Sequence, residues 1–398
     1  MSEVRRDNKG RKLWTGESQR KDGKYEYKYV DVSGQRRSVY SWKLTPADAT
    51  PKGKRCDLSL REKEKQVQKL NEEGLLPIGS QITVSELAER YISQKRGVRH
   101  NTKANYNFVL NIIKKDAFGR KRIGDVKVLH AKEWLVKLQD EGRGYSSIHS
   151  IRGVVRPAFQ MAVENDWLNK NPFDFQLNTV VVNNSVTRDA ISRKEERKFL
   201  EFVKNDHYFG KYYDGIFILF KTGLRISEFV GLTVHDLDFN EDKIIVDHQL
   251  QRTRTMEYVI EDTKTECGTR MIPMTAEVKE SFQRILNARP HPKKEPVVQG
   301  YSGFLFLDKN EQPMVALHWE KYFQHICAKY NGIYKDPLPK ITPHVCRHTF
   351  CSNMAKSGMN PKTLQYIMGH SDIGVTLNTY THLGFEDVKE AMCDASSQ

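Results

Sequence analysis

The 398-residue sequence contains no stretch approaching the roughly 20 consecutive apolar residues of a membrane span, and its opening residues lack the apolar core of a signal peptide. Its six cysteines, Cys56, Cys267, Cys327, Cys346, Cys351 and Cys393, are scattered without the regular spacing of a disulfide framework. A reducing compartment, the cytoplasm, is therefore expected. No internal repeat, heptad run or low-complexity tract is present, which excludes solenoid and coiled-coil architectures. A Gly-x-x-x-x-Gly-Lys-Ser/Thr loop is missing too, so no nucleotide cofactor is expected.

What the sequence has in excess is positive charge: the formal net charge is +14. Clustered Lys and Arg gain affinity for polyanions by displacing counterions from phosphates. The charge is uneven, since residues 1–58 hold 15 Lys and Arg against 8 Asp and Glu. That segment stands apart as a basic module. Within it Tyr25-Glu-Tyr-Lys-Tyr-Val30 alternates with the two-residue period of a half-buried strand, Gly34 supplies a turn, and residues 35–42 read as the return strand. A helix over about 60–73 opens with Ser59 and Glu62 in capping-box spacing, and Gly74 is placed to end it. The tyrosine face is expected to pack on this helix, leaving the basic face for phosphates.

Residues 75–80 read as a connector. Thr83 and Glu86 then form a second capping box, and helical periodicity over roughly 83–95, 101–114, 130–140 and 146–165 predicts a compact all-helical domain with basic joints. Asn169-Lys-Asn-Pro172 stops the last helix. After a polar linker near 182–188, helices alternate with strand-like runs at 243–251, 256–262 and 270–274, an α+β pattern.

Four patches in this last segment carry chemistry. In Thr222-Gly-Leu-Arg-Ile-Ser-Glu228, Gly223 breaks one helix and Arg225 opens the next with its guanidinium free to point outward. In Pro343-His-Val-Cys-Arg-His348, helical spacing is expected to put His344, Arg347 and His348 on one face, with Cys351 a turn further. Gly369-His370 and Tyr380-Thr381-His382 follow. Each fragment alone has a bland alternative; their order together does not.

On these motifs the sequence resembles the tyrosine recombinase, or λ-integrase-like, family through essentially the whole last segment. The basic N-terminal block resembles the arm-binding domain of integrases from conjugative transposons of Gram-positive bacteria. The resemblance implies a multidomain protein: an arm-type DNA-binding domain over 1–76, with a small three-stranded β-sheet plus helix; an all-α, SAM-like core-binding domain over 77–176; and a mixed α+β catalytic domain with a C-terminal tail over 177–398. It implies a site of Arg225, Lys264, His344, Arg347, His370 and Tyr380, with Tyr380 as nucleophile and neither metal nor cofactor.

The chemistry agrees with that set. Attack on a phosphodiester must neutralise non-bridging oxygens as charge spreads, and the pair Arg225 and Arg347 suits this. A tyrosine with a pKa near 10 is ionised in only about one molecule in a thousand at neutral pH, a handicap of about 4 kcal/mol that a cationic clamp lowers. His344 is the candidate base for Tyr380, and His370 the candidate hydrogen-bond donor to the phosphate. The departing 5′-oxygen needs an acid, and Lys264, between two strand-like runs, is the candidate. Arg252, Arg254 and Arg270 are candidates to hold DNA, with solvated strand arginines as the alternative. A 3′-phosphotyrosine keeps the energy of the broken bond, so a 5′-hydroxyl reseals it without ATP.

Two rival readings are weaker. A zinc site built from His344, Cys346, His348, Cys351, His370 and His382 lacks the Glu expected after the first His, where Val345 stands, and has no Cys-x-x-Cys pair. A DNA-binding regulator with this fold but no cleavage is at odds with a complete catalytic set. The resemblance further implies double-stranded DNA with core and arm sites as partner, a homo-tetramer on two duplexes, an excisionase and a host DNA-bending protein. The tail, helical in character over 385–392, is expected to dock on a neighbouring protomer.

Overall fold

The fold is that of a computed structural model, which describes residues 5–31, 34–54, 56–72, 81–185, 190–253, 255–263 and 266–380. The chain divides into two compact units, 1–186 and 187–398. Among the described residues no helix is long and apolar enough to cross a membrane.

The first unit opens with an antiparallel sheet of β1 (Glu17–Gln19), β2 (Tyr25–Val30) and β3 (Arg36–Ser41). The alternation read from the sequence turns Tyr25 into a small core with Leu13, Leu44 and Leu60, against which Tyr27 and Val39 pack. Its phenol joins a polar network, donating to Asp7 at 3.0 Å and accepting from Arg11 at 2.8 Å. Helix α1 (Leu60–Glu72) starts where the backbone N–H of Ser59 donates to Glu62 at 2.9 Å, as the capping spacing requires. The expected stop at Gly74 and the connector over 75–80 lie outside the described residues.

The helical part comprises α2 (Val84–Ser93), α3 (His100–Lys115), α4 (Val128–Asp140) and α5 (Tyr145–Glu164). Thr83 and Glu86 form the expected reciprocal cap. These helices enclose a separate core around Trp134, Phe159 and Phe173.

The second unit begins with α6 (Arg193–Asn205), α7 (Tyr213–Thr222) and α8 (Ile226–Gly231). Strands β4 (Leu237–Asp238), β5 (Lys243–Val246), β6 (His248–Arg252), β7 (Tyr258–Asp262) and β8 (Arg270–Pro273) follow. Helices α9 (Ala276–Ala288), α10 (Ala316–Ile333), α11 (Pro343–Lys356), α12 (Pro361–Met368) and α13 (Ile373–Tyr380) complete it. Trp319, Phe229, Phe199 and Phe323 centre its core.

The run read as one strand over 243–251 is two. β5 lies between β4 and β8, whereas β6, among the described residues, pairs only with β7. Two contacts draw the chain off the first sheet after Val246. His248 Nε2 reaches the Gly231 carbonyl at the end of α8, at 2.8 Å, and Gly231 admits the strand so closely that a Cβ there would lie 2.9 Å from Leu250 N.

Candidate active site

The turn between α7 and α8 sets the first guanidinium. Gly223 takes φ +64°, and a Cβ there would lie 2.5 Å from the Phe350 ring, so both the backbone and the packing require glycine. Arg225 then starts α8 in extended conformation, its N–H donating to Glu228 Oε2 at 2.9 Å. Its guanidinium is not free, as the sequence had suggested. Nη1 donates to Glu228 Oε1 at 2.6 Å and Nη2 to the Gly369 carbonyl at 2.7 Å.

Helix α11 starts at the Thr342 cap with Pro343 in its first turn, where a missing N–H costs nothing. His344 and His348 are exposed, whereas Arg347 and Cys351 are buried. The four positions do share one arc of about 100°, as the spacing requires, but burial divides it: the i, i+4 pair 344/348 lies at its exposed edge and the pair 347/351 faces inward. Arg347 Nη1 donates to the Gly223 carbonyl at 2.6 Å and Nη2 to the Met368 carbonyl.

These contacts converge on the C-terminal end of α12. Three consecutive carbonyls are taken by three different arginines: Ile367 by Arg270 at 2.6 Å, Met368 by Arg347, and Gly369 by Arg225 at 2.7 Å. The last carbonyls of a helix have no partners within it and carry its negative dipole end, so they suit guanidiniums. Gly369, at φ +61°, ends the helix and leads directly into His370.

His370 Nδ1 lies 2.9 Å from Thr376 Oγ1. Burial first, then the positive charges of Arg347 and Arg225, depress its pKa to about 4, so the ring is neutral at physiological pH. Burial also holds Arg347 well below the usual guanidinium range, and the like charge of Arg225 adds to it. Burial would raise Glu228, but its bonds to Arg270 and the charges of Arg270, Arg225 and Arg347 outweigh that and hold its carboxyl low. Among the described residues, two guanidiniums pair with this one carboxylate and a third, Arg347, lies within its field. That group of residues is short of negative charge, the condition in which a phosphate binds.

Tyr380 ends α13, which lies against α11 and α12. Its hydroxyl donates to the Met359 carbonyl, and among the described residues no hydrogen bond joins it to Arg225, Arg347 or His370. Lys264 lies outside the described residues, as do Arg254, His382 and the tail over 385–392. Of the expected set, Arg225, Arg347 and His370 are brought together. His344 is exposed in the first turn of α11. The histidine–cysteine set weighed as a zinc site is not gathered: among the described residues the liganding atoms that cluster belong to Asp236, Asp247 and His248.

Arg270 corrects a further expectation. It is 3% exposed and paired with Glu228 at 2.9 Å, not presented to DNA. Arg252 is partly exposed, with its guanidinium 5.9 Å from the Tyr258 ring centre. The residue sequence reasoning passed over is Glu228. The signal was present, because Glu228 stands three residues after Arg225, the spacing of a reciprocal helix cap.

A guanidinium cluster of this kind suits a protein that holds a phosphate group. Comparison with known proteins agrees. The family described as "Phage integrase family" matches residues 190–387, and "DNA binding domain of tn916 integrase" matches residues 1–71. The transposase from transposon Tn1545 of Streptococcus pneumoniae is 45% identical over 98% of this chain and 96% of its own length. That from Tn916 of Enterococcus faecalis is 44% identical over the same shares, 98% and 96%. The solved Tn1549 transposon integrase, in complex with transposon right end DNA, is 41% identical, covers 79% of this chain and 100% of its own, and superposes with a TM-score of 0.75. A λ integrase tetramer bound to a Holliday junction shares the fold, at 15% identity and a TM-score of 0.52. The chain belongs to the phage integrase family of tyrosine recombinases, enzymes of site-specific DNA recombination.

Proposed function

We propose that this recombinase integrates and excises a conjugative transposon, with Tyr380 as nucleophile and Arg225, Arg347, His370, His344 and Lys264 as the groups that act on the scissile phosphate. The observation that carries the reading is the convergence of Arg225 and Arg347 on adjacent carbonyls, Gly369 and Met368, immediately before His370. Two guanidiniums fixed before the substrate arrives stabilise the charge that develops on the non-bridging oxygens without reorganising at the moment of reaction.

Tyr380 Oη leaves the Met359 carbonyl, gives its proton to His344 and bonds to phosphorus. The bond from phosphorus to the 5′-oxygen breaks, and that oxygen takes a proton from Lys264. The neutral His370, with Nδ1 accepting from Thr376, keeps its proton on Nε2, and that N–H donates a hydrogen bond to a phosphate oxygen. The 3′-phosphotyrosine is resolved by the reverse steps when a 5′-hydroxyl of another strand attacks.

Three domains serve this chemistry in the proposal: 1–76 as an arm-type DNA-binding module, 77–176 as a SAM-like core-binding domain, and 177–398 as the catalytic domain. The separate cores of the sheet module and of the helices support the first division. The enzyme acts on double-stranded DNA as a homo-tetramer spanning two duplexes, in the cytoplasm, with an excisionase and a host DNA-bending protein setting direction. A tail that docks on a neighbouring protomer couples cleavage to assembly.

Peptide mapping of the adduct trapped on a nicked duplex carrying the element's own end tests the assignment. A DNA-linked peptide containing Tyr380, lost in Tyr380→Phe, is expected. An adduct on another residue overturns it, and no adduct with either form leaves a DNA-binding regulator.

A further inference from the structure

Arg270 is the buried charge for which the chemistry above has no use. It stands at the start of β8, paired in register with Val246, and its side chain is fully buried. Nε donates to the Ile367 carbonyl at 2.6 Å, Nη1 to the Gly268 carbonyl at 2.8 Å and to Glu228 Oε1 at 3.2 Å, and Nη2 to Glu228 Oε2 at 2.9 Å. A guanidinium that meets both oxygens of a carboxylate fixes the plane of that carboxylate as well as its position.

The other side of that carboxylate is Arg225. Glu228 Oε1 accepts from Arg225 Nη1 at 2.6 Å, and Oε2 accepts from the Arg225 backbone N–H at 2.9 Å. Arg225 also donates to the Gly369 carbonyl, on the same helix end whose Ile367 carbonyl Arg270 holds. Among the described residues, both supports of the Arg225 guanidinium are therefore groups that Arg270 orients. Space is kept for this arrangement: a Cβ on Gly369 would lie 3.0 Å from Arg270 Nη1.

We propose that Arg270 is the positioning residue of the phosphate clamp: without touching DNA, it sets the Arg225 guanidinium by fixing the Glu228 carboxylate and the C-terminal end of α12. The inference rests on the reading of Arg225 as a phosphate ligand. Lysine cannot substitute, because a compact ammonium on a flexible stem lacks the planar fork that meets both Glu228 oxygens and the Ile367 and Gly268 carbonyls together.

The test uses the full-length protein on two nicked duplexes of the element's end, one with the ordinary scissile phosphate and one with a methylphosphonate there, which is neutral and has less need of a charged clamp. Arg270→Lys is expected to slow adduct formation on the phosphate by at least about tenfold. On the methylphosphonate the loss should be at least about fivefold smaller, with DNA affinity unchanged. Any misfolded fraction lowers both rates alike, so the ratio of the two losses still reports positioning; Arg270→Gln is a second variant read by the same ratio. Equal losses on the two duplexes, or none, overturn the inference. Arg225→Lys is the control: should it show no such differential, the clamp reading itself falls, so the two failures are distinguishable.

Discussion

The hydroxyl of Tyr380 donates to the backbone carbonyl of Met359, in the turn between α11 and α12. The guanidiniums were expected to ease ionisation of this phenol. Instead burial first, and the neighbouring Cys351 thiol second, push its pKa above the ordinary 10.0. In this arrangement the proposed nucleophile is protonated and engaged elsewhere.

A phenol raised in the folded state stabilises the fold at pH values below its unfolded pKa, and that contribution is lost as pH rises through the folded value. Alkaline spectrophotometric titration of the DNA-free protein, taken as wild type minus Tyr380→Phe, should therefore show one phenol ionising above pH 10.0. Ionisation below that value would mean the proposed nucleophile is activated before DNA arrives.

Among the described residues Glu228 is the carboxylate paired with Arg225 and Arg270, so Glu228→Gln takes from the buried Arg270 its counter-charge there. Breaking one side of a buried pair costs about 3–5 kcal/mol. Denaturant-dependent hydrogen exchange of peptides from 187–398 should register that loss, with the helical core of the first unit unchanged as internal reference. A change under about 1 kcal/mol would show that the pair is not the anchor described.

His370, at about 4 in the folded protein against an ordinary 6.5, makes the second unit acid-sensitive. A depressed folded pKa means that the unfolded chain binds the extra proton first. The stability this group contributes is complete above pH 6.5 and is lost as pH falls toward 4. Melting curves across that window should fall more steeply for wild type than for His370→Gln, and parallel curves would contradict the assignment.

Gly369→Ala combines two penalties. The residue sits at φ +61°, and the new Cβ would crowd Arg270 Nη1 and the Cys267 carbonyl, each at 3.0 Å. A cost of about 1–3 kcal/mol is expected, together with a large loss of adduct formation. Gly142→Ala, at φ +88° with nothing within 4 Å, should carry only the backbone share and cleave normally. Equal cleavage by the two variants would argue against a packed α12 end.

Much of this protein was legible in its sequence because the signals are local. The capping pairs Ser59/Glu62 and Thr83/Glu86 start helices through contacts three residues long. The helical stretches of the first unit follow from their own periodicity, and the order of the motifs around Arg225, Arg347, His370 and Tyr380 singles out the chemistry without a fold. The break after Val246 was not legible, because it depends on Gly231 and His248, 17 positions apart.

Sequence by itself thus determined where most of the helices form and which side chains are candidates for the charge and protons of the reaction. Tertiary structure decided what each of those side chains touches. Arg225 finds its carbonyl 144 residues away and Arg270 its own 97 residues away. An exposed strand arginine and a buried one are spelled alike. Packing α12 and the Glu228 side chain against the start of β8 takes Arg270 out of water, and its donors must then be satisfied by that carboxylate and the end of the helix.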